Sequence, residues 1–279
     1  MSIHPALESG RVAVVTGAAD GIGLAVAHRL ASWGLRVAMA DVDSEKLEAA
    51  AAGTDGAIAV QTDVSRIEEV ERLRDRVLDE LGPVDFLMNN AGVSRPSGSW
   101  SELGSWRTVL GVNLWGIVHG VHAFVPGMVE RGEPGLVINT GSKQGITSPP
   151  GNPAYNVSKA GVKALSEALE HELRNTPGCR VRAHLLVPGF TWTGMIRRFL
   201  PEKPDGAWTT DQVADFLFES IGRGDFYVLC PDNDVPRAVD EKRMAWAMGD
   251  LIENRPPLSR WHPDYEAAFA AFMSDDDAS

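Results

Sequence analysis

A tyrosine and a lysine four positions apart are the first side chains in this sequence whose types and spacing could do chemistry. Tyr155 and Lys159 lie in A-Y-N-V-S-K-A, near the start of a predicted helix, and the i, i+4 spacing puts both on one helix face. An ammonium about 4 Å from a phenol contributes about 4 kcal/mol at an effective dielectric constant of about 20. That interaction would lower the phenol pKa from about 10 towards 7, where a phenol exchanges protons with an alcohol. The same spacing is also common on exposed amphipathic helices.

A glycine-rich turn follows the first predicted strand. Positions 16–23 read T-G-A-A-D-G-I-G, a G-x-x-x-G-x-G pattern that differs from the G-x-G-x-x-G dinucleotide fingerprint. Glycines let the backbone approach a pyrophosphate closely, and the N-terminus of the next helix supplies free N–H groups and a positive dipole end. The position of this turn between a strand and a helix predicts a nucleotide site, although a glycine-rich turn alone is more often only a tight turn.

An acidic residue ends the second predicted strand. Asp41 lies 24 residues after Gly17, close to the spacing at which a carboxylate binds the adenosine ribose. A carboxylate there repels a 2′-phosphate and selects NAD over NADP. Asp20 adds to that repulsion, and no Lys or Arg follows Asp41 closely enough to offset it. The alternative role for Asp41 is a helix N-cap, which Asp43 or Ser44 could fill instead.

Strands and helices alternate along residues 11–230. Strands are predicted at 11–16, 35–40, 57–61, 84–88, 135–140, 180–187 and 225–230, and helices at 21–33, 44–52, 66–81, 102–131, 153–174 and 210–221, with a loop and a short helix in 189–208. This order predicts an α/β fold: a single Rossmann-like doubly wound domain with a seven-stranded parallel sheet flanked by helices. We assign 1–230 to that domain and 231–279 to a C-terminal extension of it, with a helix near 236–253 and a frayed acidic end.

Composition excludes several classes of protein. The chain has 279 residues, 44% of them hydrophobic, and a net charge of −12, which excludes collagen, wholesale disorder and a disulfide-stapled miniprotein. The acidic balance argues against nucleic-acid binding. Two cysteines, scattered histidines and a polar N-terminus predict a cytoplasmic protein with reduced thiols, no metal and no secretory signal. The uncharged stretch 109–129 has membrane-spanning length, but a helix buried between the sheet and a partner subunit explains it better.

Several further motifs agree with these features in order and spacing. Ser142 lies 13 residues before Tyr155, Asn113 lies in the fourth long helix, and Thr193 follows a Pro-Gly pair. Together with T-D-V at 62–64 and N-N-A-G at 89–92, they make residues 11–230 resemble the short-chain dehydrogenase/reductase family.

The resemblance implies an oxidoreductase that moves a hydride between a substrate carbon and a nicotinamide. It assigns Tyr155 as general acid/base and Ser142 as the group that positions the substrate oxygen. Lys159 would lower the Tyr155 pKa and bind the ribose, and Asn113 would hold a water that links Lys159 to solvent. The implied cofactor-binding residues are Gly17, Asp20, Gly21, Ile22, Gly23, Asp41, Asp63, Val64, Asn90, Ala91, Gly92, Tyr155, Lys159, Pro188, Gly189, Thr191 and Thr193.

The resemblance implies that the loop after the sixth strand closes over the substrate. Its bulky apolar side chains, including Phe190, Trp192 and Met195, indicate a hydrophobic, ring-bearing alcohol or ketone, unless they only pack the loop onto the core. Ser94, Gln144 and Asn152 are candidate polar contacts with the substrate. Lys143, directly after Ser142, is either solvated or in contact with a polar substrate group.

We therefore predict an NAD-dependent secondary-alcohol dehydrogenase that acts on a small molecule. The resemblance also implies a homodimer or homotetramer, in which the helices near 109–129 and 153–174 pair between subunits. The extension would enclose the substrate, contact a subunit or only cover an exposed face. One alternative is a biosynthetic ketoreductase that uses NAD(P)H. The other is a non-catalytic dinucleotide sensor on the same fold, against which the complete Ser142, Tyr155 and Lys159 set argues.

Overall fold

Strands and helices alternate along residues 4–275, which are the part of the chain described by this computed structural model. The strands are β1 Val12–Thr16, β2 Arg36–Asp41, β3 Ala57–Gln61, β4 Phe86–Asn89, β5 Gly135–Thr140, β6 Val181–Val187 and β7 Tyr227–Leu229. The helices are α1 Gly21–Ser32, α2 Ser44–Ala52, α3 Ile67–Glu80, α4 Leu103–Leu110, α5 Gly116–Arg131, α6 Gln144–Thr147, α7 Pro153–Asn175, α8 Gly194–Arg197, α9 Thr210–Arg223, α10 Arg237–Ile252 and α11 Glu266–Ser274.

All seven strands join one parallel sheet in the order β3-β2-β1-β4-β5-β6-β7. Strand order reverses between β1 and β4, so the helices that follow these two strands leave on opposite faces of the sheet. A ligand crevice is expected at their carboxyl ends. The predicted fold class, a seven-stranded doubly wound α/β sheet, is confirmed.

Both faces of the sheet are covered by helices. On β1, Val12 and Val14 belong to the core shared with α3, α5 and α7, whereas Ala13 and Val15 belong to the core shared with α1 and α9. Since alternate residues of a strand point to opposite faces, a strand buried on both sides must be apolar throughout. This explains why β1 reads as a continuous hydrophobic run without a helical period.

The helix predicted over 102–131 is interrupted. A π-helical turn, Gly111–Trp115, separates α4 from α5. Asn113 lies in this turn and is fully buried. The wide turn could not be read from periodicity, because hydrophobic spacing is almost the same in α and π geometry over five residues.

The stretch Leu103–Arg131 is long and apolar enough to cross a membrane by length and composition, with 44% of its most apolar window buried. In the structure Ile117, Phe124 and Met128 are buried in the cores on the α5 side of the sheet. Packing against the sheet therefore accounts for the apolar side chains on this face.

The C-terminal extension has a small core of its own. Trp246 on α10 is buried, its Nε1 donates to Ser259 Oγ at 2.8 Å, and its ring packs on Phe269 and Phe272 of α11. Helix α10 also packs against α6, near the carboxyl end of β5. The helix predicted near 236–253 is present, and the predicted frayed end lies outside the described residues from position 276 on.

Contact between α6 and α7 depends on a glycine. A Cβ on Gly145 would lie 2.5 Å from the Lys159 carbonyl carbon and 2.6 Å from its oxygen, so Gly145→Ala must push α6 away from α7. We expect a loss of about 1–3 kcal/mol in the free energy of unfolding, measured by denaturant titration.

The matched control is Gly127→Ala on α5, where a Cβ would meet nothing within 4 Å. Alanine should leave stability unchanged or raise it by about 0.5–1 kcal/mol at this helical position. Equal effects of the two substitutions would contradict the close packing of α6 on α7.

Candidate active site

A cavity of 1390 Å³ lies at the carboxyl edge of the sheet, at the switch between β1 and β4. It brings together most of the predicted site residues: Gly17, Asp20, Gly21, Ile22, Asp41, Asp63, Val64, Asn90, Ala91, Gly92, Ser94, Ser142, Gln144, Asn152, Tyr155, Lys159, Pro188, Gly189, Phe190, Thr191, Thr193 and Met195. Three predicted site residues, Gly23, Asn113 and Trp192, do not line it.

The glycine-rich turn is held against the end of β4. Gly17 has φ +65°, and a Cβ there would lie 2.7 Å from the Ala91 Cα. Asn90 Nδ2 donates to the backbone oxygens of Thr16 and Gly17 at 3.1 and 3.3 Å. Gly23 does not line the cavity but packs against the turn, since a Cβ there would collide with Gly17 O. Glycine is therefore required for the shape of the turn at both positions.

Asp41 is positioned at the cavity edge and does not cap a helix. Its Oδ2 accepts from Ala19 N at 3.2 Å and its Oδ1 from Asp43 N at 3.1 Å. Asp43 caps α2, because its Oδ1 accepts from Lys46 N at 3.2 Å. The alternative reading of Asp41 as N-cap is thus wrong, and its carboxylate links the end of β2 to the glycine-rich turn.

Asp20 is not the free negative charge that the sequence predicted. It caps α1, and both of its carboxylate oxygens accept from Arg197 Nη2, at 2.6 and 2.5 Å. Lys46 and Arg198 line the same cavity. The predicted repulsion from Asp20 is therefore offset, because the loop after β6 brings cationic groups over the glycine-rich turn.

Lys159 is a buried ammonium at the end of β5. It is 3% exposed, and its Nζ donates to Thr140 O at 2.7 Å. The same Nζ lies 5.8 Å from the centroid of the Tyr155 ring. Burial lowers the pKa of Lys159 from 10.5 to about 8, because desolvation disfavours the charged form.

The predicted lowering of the Tyr155 pKa by Lys159 is not found. Burial raises the pKa of Tyr155 above its usual value of 10.0, and a hydrogen bond with Ser142 acts in the opposite direction. The sequence argument considered the attraction of the ammonium for a phenolate and left out desolvation of the phenolate. The hydrogen bond does bring the Ser142 and Tyr155 hydroxyls together, as the family resemblance implied.

Polar side chains position the start of α7. Asn152 caps this helix by accepting from Tyr155 N at 3.4 Å, and its Nδ2 donates to Ser94 Oγ at 3.0 Å. Ser97 Oγ, which the sequence did not single out, donates to Asn152 Oδ1 at 2.9 Å. Ser94 and Asn152 line the cavity, and their mutual bond fixes the helix turn that carries Tyr155.

Asn113 holds backbone rather than a cavity group. Its Oδ1 accepts from Val93 N at 2.7 Å, while its Nδ2 donates to Val93 O at 2.9 Å and to Ser158 Oγ at 3.1 Å. The side chain thereby joins the π-helical turn to α7 and to the segment after β4. The expected water-holding role is not available to its amide nitrogen, whose two hydrogens both have protein acceptors.

The loop after β6 contributes apolar side chains to the cavity. Phe190, Met195, Ile196 and Phe199 line it. Trp192 does not, and its backbone N–H donates to Trp208 O at 2.8 Å. The prediction of Trp192 as a substrate residue is thus not supported, because this residue pairs with the segment around Trp208 and does not line the cavity.

Lys143 is not the solvated side chain of the first prediction; it lines the cavity, and its contact with a polar substrate group stays a prediction. Its Nζ lies 2.6 Å from Asp240 Oδ2 and 3.3 Å from Asp232 Oδ2, and all three side chains are largely buried. Asp232 Oδ2 also accepts from Phe190 N at 3.2 Å. Asp240 belongs to α10, so this ion cluster ties the C-terminal extension to the residue that follows Ser142. No local sequence signal could have indicated it, since the partners are about ninety residues apart.

Comparisons with known proteins agree with this geometry. The family described as short chain dehydrogenase matches residues 11–204. The chain belongs to the short-chain dehydrogenase/reductase family. It is an oxidoreductase that acts on hydroxyl or keto groups.

Relatives cover most of the chain. A 1-deoxy-11-beta-hydroxypentalenate dehydrogenase of Streptomyces exfoliatus is 36% identical, over 90% of this chain and 94% of its own length. A 3beta-hydroxysteroid dehydrogenase 2 of Eggerthella lenta is 32% identical, over 69% of this chain and 75% of its own length. A short chain dehydrogenase/reductase from Burkholderia phymatum, whose crystal structure is in complex with NAD, is 34% identical in sequence. The two structures superpose with a TM-score of 0.80 over 89% of this chain and 96% of the other.

Burial of the Lys159 ammonium predicts an unusual pH dependence of stability. Between pH 8 and 10.5 the unfolded chain holds this proton and the folded chain does not, so the free energy of unfolding rises with pH. Relative to Lys159→Met, the unchanged protein should gain about 3 kcal/mol across that window. Denaturant titrations at several pH values measure the difference.

Lys163→Met is the matched control, because Lys163 lies on the same helix in a partly exposed ion pair with Glu167. Its stability difference from the unchanged protein should stay flat over the same pH range. A flat difference for Lys159→Met as well would show that the ammonium is not desolvated.

Proposed function

We propose that this enzyme transfers a hydride between NAD and a hydrophobic, ring-bearing secondary alcohol or its ketone. The observation that carries the proposal is a single cavity lined both by the proposed proton-transfer residues and by the proposed dinucleotide-binding residues. Ser142, Tyr155 and Lys159 lie together at one end, and Asp41 and the glycine-rich turn lie at the other. This arrangement fits a dinucleotide that spans the cavity and brings its reactive ring to the tyrosine.

A bound nicotinamide supplies the hydride acceptor or donor, and the protein supplies proton transfer and orientation. In ketone reduction, Ser142 donates a hydrogen bond to the substrate oxygen and Tyr155 gives its phenolic proton to that oxygen. The raised pKa of Tyr155 keeps this proton available at neutral pH. In alcohol oxidation the Tyr155 phenolate oxygen accepts the proton of the substrate hydroxyl. A higher pH favours this direction, because it favours the phenolate.

Lys159 binds the ribose hydroxyls next to the nicotinamide in this proposal. It carries its charge below a pKa of about 8, and Thr140 O holds it in place. Asn113 acts through structure: it fixes Val93 and Ser158 around this lysine. The proton-relay role that the resemblance gave to Asn113 is not part of the proposal.

NAD preference rests on Asp41. Ala19 N and Asp43 N hold its carboxylate at the cavity edge, where it would accept from the ribose hydroxyls and repel a 2′-phosphate. Because Asp20 is paired with Arg197, Asp41 carries most of this discrimination. The NAD bound to the Burkholderia phymatum relative supports the same cofactor.

Substrate class follows from the loop after β6. The side chains of Phe190, Met195, Ile196 and Phe199 form an apolar wall of the cavity, with Ser94, Gln144 and Asn152 as its polar groups. The relatives named as hydroxypentalenate and hydroxysteroid dehydrogenases support a ring-bearing substrate. The homo-oligomer and the cytoplasmic location remain predictions.

Removal of the phenolic hydroxyl should stop catalysis. In Tyr155→Phe the ring stays in place while proton transfer to the substrate oxygen is lost, so kcat should fall by at least about 10²- to 10⁴-fold. The assay is formation of reduced cofactor from NAD, over a panel of aliphatic, alicyclic and aromatic secondary alcohols. NAD binding by calorimetry should be nearly intact.

Tyr227→Phe is the control for this substitution, since Tyr227 lies on β7, outside the cavity lining, and bonds to Glu167. It should retain full activity. If Tyr155→Phe kept most of its rate, or if the unchanged protein bound NAD but oxidised no alcohol and reduced no ketone, the proposed chemistry would be wrong.

Cofactor choice should shift when the Asp41 charge is removed. Asp41→Asn keeps the size of the side chain and one acceptor oxygen, so the fold around Ala19 should survive. The ratio of kcat/KM for NAD to that for NADP should fall at least about tenfold, which corresponds to about 1.4 kcal/mol. An unchanged ratio, or an unchanged protein that prefers NADP, would refute the role of Asp41.

A further inference from the structure

A second cavity lies on the other side of α6 from the catalytic cavity. It measures 430 Å³, within the range of small-molecule sites, and is enclosed by α6, α10 and the turns that follow α10. Its lining residues include Arg243, Arg255, Arg260, Asp250, Trp246 and Trp261. No residue of the proposed catalytic set is among them.

The charge of this lining is unbalanced. Arg243, Arg255 and Arg260 face one acid, Asp250. Asp250 is already engaged: its Oδ1 lies 3.1 Å from Arg255 Nε, and its Oδ2 accepts from Ser259 N at 3.0 Å. Arg255 also stacks on the Trp246 ring at 4.1 Å. Among residues 4–275, that leaves two arginines of the lining without an ion pair, in a protein that carries a net charge of −12.

Arg243 and Arg260 are these two arginines. Neither forms an ion pair with any residue in 4–275, and Arg243 Nε is buried without a hydrogen-bond partner there. A buried guanidinium nitrogen normally has an acceptor. The nearby acid Asp240 attracts both arginines, but its Oδ2 lies 2.6 Å from Lys143 Nζ.

The two guanidinium groups are also close enough to repel each other. Burial and the charge of Arg243 both lower the pKa of Arg260, while Asp240 acts weakly in the opposite direction. Two like charges held together over an open cavity are relieved by an anion between them, and a planar guanidinium pairs best with a carboxylate or phosphate.

The rest of the wall is apolar and aromatic. Ile146, Leu258 and the Trp246 and Trp261 rings face the cavity, and Arg260 stacks on Trp261 at 4.7 Å. Leu258 has φ +60°, a left-handed conformation that is rare for a branched residue and tends to occur at ligand sites. These walls suit a flat apolar body attached to the anion.

We propose that this cavity is a second ligand site, which binds an organic carboxylate with an aromatic or alicyclic body. The carboxylate lies between Arg243 and Arg260, and the body lies against Trp246, Trp261 and Ile146. The site is separate from the catalytic cavity, because the two cavities have no lining residue in common. They lie next to each other, since Gln144 and Pro149 line the first cavity and Ile146 and Ser148 line the second.

The test uses 2-naphthoate as probe and its neutral amide, 2-naphthamide, as the matched compound. Binding to the full-length protein saturated with NAD is measured by calorimetry. We expect one naphthoate per chain, at least tenfold weaker binding of the amide, and at least tenfold weaker binding of naphthoate to Arg243→Met and to Arg260→Met.

Arg237→Met is the control variant: Arg237 lies on the same helix, pairs with Glu241 and is not part of the lining. It should bind naphthoate as the unchanged protein does. NAD affinity measured for each variant confirms that it is folded, whether or not it turns over any alcohol.

Three results would overturn the proposal. The amide could bind as tightly as the acid, which would make the arginines irrelevant. Naphthoate could be displaced by an alcohol that the enzyme oxidises, or bind normally to both arginine variants, which would place it in the catalytic cavity. The arginine variants could leave naphthoate binding unchanged while altering the oligomeric state, which would make the cluster a subunit contact.

Discussion

The hydrogen bond from the Lys159 ammonium to Thr140 O joins the end of β5 to α7, and the catalytic geometry depends on it. Thr140 precedes Ser142 by two residues, and Tyr155 lies one helical turn before Lys159, so this bond sets the distance between the two hydroxyls. Burying an ammonium on one carbonyl is unfavourable, as the lowered pKa of Lys159 shows. A buried charge that lowers stability is typical of a functional site, where side chains are placed for chemistry and not for stability.

The C-terminal extension supports the same region from outside the sheet. Lys143 follows Ser142, and its ion cluster with Asp232 and Asp240 reaches both α10 and the N–H of Phe190. The two loops that bear Ser142 and the apolar wall are thus attached to one buried charge. Since a buried ion pair gains little net stability, its contribution here is to orientation: displacement of α10 would take Asp240 away and leave Lys143 with the more distant Asp232 beside the active site.

Sequence patterns predicted elements better than side-chain environments. The continuous apolar run of β1 and the amphipathic period of α3 follow from burial on two faces and on one face, so their bounds came within about two residues. Asp41 and the glycine-rich turn line the catalytic cavity as expected, because the sequence signal of each is local; their part in cofactor binding stays a prediction. The pairing of Asp20 with Arg197 was missed, because the partners are 177 residues apart. The sequence predicts a lowered pKa for Tyr155, whereas burial raises it. Desolvation depends on every element packed around the ring and cannot be read from a helix spacing.

Net charge is a poor guide to what individual cavities attract. The chain carries −12 overall, yet Arg197, Arg198 and Lys46 line the catalytic cavity, and Arg243 and Arg260 line the second cavity. Arg197 and Lys46 are paired with Asp20 and Asp43, whereas Arg243 and Arg260 have no ion pair among residues 4–275. The acidic surplus keeps the surface negative, while the cationic groups lie in concave sites with low-dielectric walls, where their field reaches further than on an open surface. Local charge of this kind attracts an anionic ligand even though the protein as a whole is negative. The same physical argument holds for both cavities, and α6 is the thin wall between them.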